Sequence, residues 1–247
     1  MLPIREKLEH VGGLSKLKAC LKQKATVLAK LNEAREFGVE MPKGIMIVGM
    51  PGCGKSPTAK ATAALFKLPL LRLDVGSLMG KYVGESENSM RRALRLADAV
   101  SPCVLWIDEL EKAFVGMGSS GSGSGSEVTS RLFGYSLTWM QERISPVFVL
   151  ATANDISGLP PELMRKGRFD EIFYVDFPNR RERAEIFEVH LKRRIKLSDL
   201  IDSNQLADKT EGFSGADIEA VVNEAIGPAF VNGRLPHSSS RSRQMSR

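Results

Sequence analysis

The stretch that most constrains this chain is "GIMIVGMPGCGKS", Gly44 to Ser56. An apolar run of strand type ends in a turn holding Gly49, Pro51, Gly52 and Gly54, and the turn closes on Lys55. A short apolar run bounded by glycine reads as a strand buried on both faces, which belongs in a parallel sheet covered by helices. Glycines let successive backbone N–H groups curl around an anion, and a helix starting at once adds the positive end of its dipole. Gly49-x4-Gly54-Lys55-Ser56 has the spacing of a phosphate loop. There the lysine reaches the β- and γ-phosphates and the hydroxyl holds Mg2+. Pro57 suits the first turn of the following helix, where a missing N–H costs little. The bland alternative is a chance glycine turn, which needs neither strand before nor helix after.

The same alternation continues along the chain. Strands are predicted at Ile45–Val48, Leu70–Asp74, Cys103–Asp108, Val147–Ala153 and Ile172–Phe177, with helices at Ser15–Glu36, Lys55–Phe66 and Glu85–Ala99. After Pro178 the strands stop, and Arg180–Arg194 and Ser214–Ile226 read as helices. "SGAD" at Ser214–Asp217 has the capping-box form that starts the second of these. The expected fold class is therefore α/β, a parallel sheet flanked by helices over residues 1–178. A small helical domain over 179–233 follows, then a disordered basic tail over 234–247. Gly116–Ser126, "GMGSSGSGSGS", reads as a flexible linker, either an engineering scar or, as the helix signals resuming at Ser126 and Glu127 favour, a natural loop.

Composition narrows the class further. At 43% hydrophobic and 26% charged, the 247 residues read as a soluble globular protein with room for one core and a satellite. No apolar stretch approaches the roughly 18 residues of a membrane span, and "MLPIREKLEHVGG" lacks the apolar centre of a secretory signal. Cys20, Cys53 and Cys103 are odd in number and scattered, which argues against a disulfide framework and for a reducing cytoplasm or organelle stroma. The net charge of +6 invites a nucleic-acid reading. Part of the excess lies in the tail, where Arg234, Arg241, Arg243 and Arg247 meet no acid, and the rest is mixed with acids along helical patterns, as on a solvated face.

Four further places carry chemistry. "VLWIDEL" ends an apolar strand in Asp108 and Glu109, and acids at the carboxyl end of a parallel strand face the ligand crevice. Asp108 would support the Mg2+ shell, and Glu109 would take a proton from, or orient, an attacking water. Asn154, closing "ATAND", would orient water if its strand neighbours that of Asp108; equally, it would form a turn with Asp155. Arg165 and Arg168 suit stabilisation of a transferring phosphoryl group, or else surface ion pairs. Cys53 sits among exposed N–H groups at a helix N-terminus beside Lys55, which favours the thiolate and predicts a reactive sulfur that bound ATP protects. Alternatively it only fills space.

Together these motifs resemble the AAA ATPases, the remodelling branch of the AAA+ superfamily, from about Val11 to Asn232. The finer likeness, in "LPLLRLDVGSLMG" and "SPCVLWIDELEKAF", is to AAA proteins encoded in plastids and cyanobacteria. The resemblance implies a five-stranded parallel sheet followed by a helical lid. It also implies ATP and Mg2+ as cofactors and a homo-oligomeric, hexameric ring in which Arg165 and Arg168 act on a neighbour. Pro51, Gly52, Cys53, Gly54, Lys55, Ser56 and Pro57 match the phosphate loop. Val11 and Gly12 match the segment against adenine, His190 a lid histidine near the base, and Gly215 and Ala216 the lid's contact to the nucleotide. By residue alone His190 is a surface helix histidine. Lys81, Tyr82 and Val83 match the first pore loop, whose tyrosine grips an extended protein substrate; the alternative has Tyr82 packed on its own domain. Cys53 departs from the family's usual threonine, and Gly116–Ser126 offers no second gripping residue. The rival readings are a nucleic-acid-associated ATPase switch and a phosphate-loop kinase. The histidines, His10, His190 and His237, form no H-E-x-x-H zinc site.

Overall fold

The computed structural model describes residues 6–79, 83–114, 134–165, 167–194 and 201–231. Five strands, β1 (Gly44–Gly49), β2 (Leu70–Asp74), β3 (Cys103–Asp108), β4 (Val147–Ala153) and β5 (Glu171–Val175), form one parallel sheet in the order β2-β3-β4-β1-β5. Every residue of β3 and β4 is buried, as a run without apolar–polar alternation requires. Alternate residues serve opposite faces. Met46, Leu105, Ile107, Val149 and Ala151 pack with Met90, Leu94 and Ala97 of α5 (Val83–Val100). Ile45, Ile47, Val104, Trp106 and Phe148 pack with Ala59 and Ala63 of α3 (Lys55–Phe66) and Leu17 and Leu21 of α1 (Ser15–Ala29).

The helix expected over Ser15–Glu36 is two helices, α1 and α2 (Leu31–Glu36), broken at Lys30 with φ −127° and ψ 44°. Leu17, Cys20 and Leu21 anchor α1, whereas α2 buries no residue of its own. Sequence reading also overlooked α4 (Val75–Met79) and α8 (Ser203–Asp208), while α6 (134–142) lies in the stretch after Ser126 and Glu127 where helix signals resume. α7 (Arg180–Arg194), α8 and α9 (Gly215–Val231) share a cluster around Phe187, Leu206, Ile218 and Val222. The buried Arg183 guanidinium joins α7 to α8 by donating to Ala207 O at 3.0 and 3.2 Å. α9 runs past the expected stop at Ile226, since Pro228 removes one N–H from its ladder without ending it. Its start is the capping box read from sequence: Asp217 accepts from Ser214 N at 2.9 Å, and Ser214 Oγ accepts from Asp217 N at 3.2 Å. The Gly116–Ser126 stretch, Lys81, Tyr82 and the tail lie outside the described residues.

Candidate functional site

The carboxyl ends of β1, β3 and β4 open onto a cavity of about 670 Å3, the crevice where open parallel sheets bind ligands. Pro51 through Pro57 form one wall. Val11, Gly12, His190, Gly215 and Ala216 line the same space, as do Asp108, Glu109 and Asn154.

The glycine turn has the backbone its sequence demands. Gly52 and Gly54 sit at φ +78° and +84°, where a side chain is strained. A Cβ at Gly52 would also lie 2.7 Å from Ser214 Oγ. Ala216 N donates to Gly52 O at 3.0 Å, so the start of α9 rests on the turn. On the far side, a Cβ at Gly12 would meet Ile186 Cγ1 of α7 at 2.4 Å, which fixes the Val11–Gly12 segment against that helix. The buried Lys55 ammonium donates to Gly49 O at 2.6 Å and Met50 O at 2.8 Å; burial holds its pKa below the usual lysine value.

Cys53 overturns the expectation of a reactive thiolate. It is buried, and its sulfur donates weakly to Pro51 O at 3.7 Å. Burial pushes the thiol up from its ordinary value, outweighing the opposing pull of Lys55.

At the end of β3, Asp108 is 8% exposed and both of its oxygens are engaged. Thr152 Oγ1 donates to Oδ1 and Arg72 Nη2 donates to Oδ2, each at 2.7 Å. Glu109 has left-handed backbone, φ 53°, and meets Lys112 Nζ at 2.6 Å. β3 and β4 are neighbours, and Asn154 lines the same cavity as Asp108 and Glu109. Its Nδ2 donates to Glu111 Oε1 at 2.9 Å, while Asp155 makes the local turn by accepting from Ser157 N at 2.8 Å. Sequence reading missed Arg72, Lys112, Glu111 and Thr152. Arg72, a charge inside the apolar "LLRLD", was the one readable signal among them.

His190 is not the surface histidine its residue type suggests: its side chain is 13% exposed. Burial lowers its pKa, and its Nδ1 lies 2.9 Å from Arg194 Nη1. Arg165 is exposed, and Arg168 donates to Glu162 O; neither lines the cavity. Val83 starts α5.

Among the described residues no three His, Cys, Asp or Glu cluster as a metal cage. The Ser56 hydroxyl and Asp108 carboxylate nevertheless share the cavity. Such a sparse oxygen set suits Mg2+, which takes few protein ligands and completes its shell with phosphate and water. The glycine cradle suits the phosphates. The residues present therefore fit Mg2+ with a nucleotide.

Comparison with known proteins agrees. Residues 45–177 match the ATPase family associated with various cellular activities (AAA), and residues 201–226 match the AAA+ lid domain. The chain is 48% identical to the AAA domain-containing protein ycf46 of Guillardia theta, over 92% of this chain and 44% of that protein. It is 37% identical to a cell division cycle protein 48 homolog of Archaeoglobus fulgidus, over 89% of this chain and 30% of that protein. To the ATP-dependent zinc metalloprotease FtsH of Parabacteroides distasonis it is 35% identical, over 92% of this chain and 33% of that protein. The chain thus spans less than half the length of these relatives. Among the described residues no helix is long and apolar enough to cross a membrane. With its five-stranded parallel sheet, its glycine cradle and a family match over most of the sheet, the chain belongs to the AAA family of ATPases.

Proposed function

We propose that this chain is the motor module of a homo-oligomeric ring, six-membered by family resemblance, that hydrolyses ATP to remodel or thread protein substrates. The observation that carries the reading is a division of residues: Lys55, Asp108, Glu109 and Asn154 line one cavity, whereas Arg165 and Arg168 do not line it. In this reading the glycine turn and Lys55 hold the phosphates, and Ser56 and Asp108 hold Mg2+. Val11, Gly12 and His190 seat the base, while Gly215 and Ala216 carry the lid onto the turn. Bound Mg2+–ATP supplies the phosphoanhydride bond and a metal that draws charge from its oxygens. Glu109 takes the proton of the attacking water, and Asn154 orients that water. Arg165 and Arg168 stabilise charge in the neighbouring subunit's site, and Lys81, Tyr82 and Val83 line the axis. The free, buried Cys20, Cys53 and Cys103 fit a cytoplasmic or stromal setting.

The test mixes subunits. Arg168→Ala and Lys55→Ala proteins, each inactive alone, should recover part of the ATPase activity when combined, because each supplies what the other lacks. Specific activity of the unaltered chain should also rise with concentration. Activity independent of concentration, with no recovery on mixing, removes the ring from the reading.

A further inference from the structure

The acid at the end of β3 is one of four side chains in a closed circuit. Arg72 Nη2 donates to Asp108 Oδ2 at 2.7 Å. Thr152 Oγ1 donates to Asp108 Oδ1 at 2.7 Å, and Trp106 Nε1 donates to Thr152 Oγ1 at 3.3 Å. The Arg72 guanidinium closes the circuit by stacking 4.9 Å from the centre of the Trp106 ring. Register explains the meeting. Arg72 of β2 pairs with Trp106 of β3, Asp108 lies two residues on along the same face, and β4 brings Thr152 from the other side. Arg72 also lies 3.5 Å from Asp74, and its side chain is 41% exposed where it lines the cavity.

We infer that Arg72 is a positioning residue and the resident counter-ion of Asp108: it fixes that carboxylate and lets the cavity accept a nucleotide with less dependence on the metal. The inference rests on the proposed function, in which Asp108 faces Mg2+ and the phosphates occupy the glycine turn. An entering triphosphate brings negative charge toward Asp108 and Glu109. Mg2+ offsets that charge when present. Without the metal, Lys55 and Arg72, which both line the cavity, oppose it. Removing the Arg72 charge therefore penalises the metal-free complex. The Mg2+ complex is compensated, since a bare Asp108 attracts the metal more strongly. A residue that served only packing would weaken both complexes alike.

The experiment measures binding of a non-hydrolysable ATP analogue by calorimetry, in Mg2+ and in EDTA. The proteins are the unaltered chain, Arg72→Gln and Arg72→Lys. Arg72→Gln should weaken metal-free binding about tenfold while leaving Mg2+-supported binding within about twofold. Arg72→Lys, which keeps the charge, should restore metal-free binding to within about threefold of the unaltered chain. Where Arg72→Gln lowers the melting temperature, Arg72→Met, which still covers Trp106, takes its place. Equal weakening in both conditions, or no change in either, overturns the inference and leaves the proposed function standing. Failure of the unaltered chain to bind the analogue overturns both.

Discussion

Asn154 donates its side-chain amide to Glu111 at 2.9 Å. With Nδ2 donating to Glu111, Oδ1 is left as the amide atom that accepts from water. The other oxygen of Glu111, Oε2, is buried without a partner among the described residues. Glu111 thus sets which end of the amide works, although Glu109 is the acid expected to do chemistry.

Glu111→Ala should let the Asn154 amide turn. Turnover should fall roughly tenfold, as when an orienting partner is lost, with nucleotide affinity nearly unchanged. Steady-state hydrolysis and calorimetry check this together. A fall in affinity instead would assign Glu111 to Lys55, whose pKa it helps to raise.

Lys112 engages Glu109 at 2.6 Å, with both side chains at least a third exposed. The pair competes with any water for the same carboxylate. Exposed pairs bias such competition by no more than about fivefold. Lys112→Met should therefore raise basal ATP hydrolysis by up to that factor. The gap between variant and unaltered chain should narrow in high salt, which screens the pair. Reduced hydrolysis in Lys112→Met would show the cation helping the acid rather than occupying it.

What was legible in the sequence is what is contiguous. The glycine turn carries its own spacing, and β3 keeps its expected bounds because its apolar run ends in Asp108 with Glu109 next. The circuit of Arg72, Trp106, Asp108 and Thr152 was not legible. It forms only when β2, β3 and β4 lie side by side, and strand order is not written in any one segment. The break at Lys30 escaped for a related reason: Ser15–Glu36 keeps helical composition throughout, and only burial against the sheet separates α1 from α2. Cys53 failed through the same gap. Its neighbours in sequence favour a thiolate, but tertiary burial outweighs them.

Thiol chemistry checks that reversal. With its pKa raised by burial, Cys53 should stay unlabelled at neutral pH with or without ATP, and so should Cys103, pushed up to about 11. Cys53→Thr should retain binding and turnover. Mass-spectrometric mapping after brief alkylation decides. Rapid, ATP-sensitive labelling of Cys53 would restore the thiolate.

His190 gives the pH dependence. An arginine can only donate, so the 2.9 Å contact with Arg194 Nη1 makes His190 Nδ1 an acceptor and the ring neutral. Burial lowers its pKa from 6.5; Arg194 and Arg193 push the same way, and Glu219 and Glu6 oppose them. The unfolded chain therefore takes up this proton at a higher pH than the folded one. Stability from this group is complete above pH 6.5 and is lost as pH falls from there through the lower folded value. The melting temperature should drop by a few degrees between about pH 7 and pH 5.5. His190→Gln keeps an acceptor for Arg194 but has no proton to gain, so it should flatten that step. Nucleotide affinity should follow the same profile, because the ring lines the cavity and a protonated His190 would repel Arg194 and shift the wall. A drop of equal size in His190→Gln would assign the titration to other groups and leave His190 with packing alone.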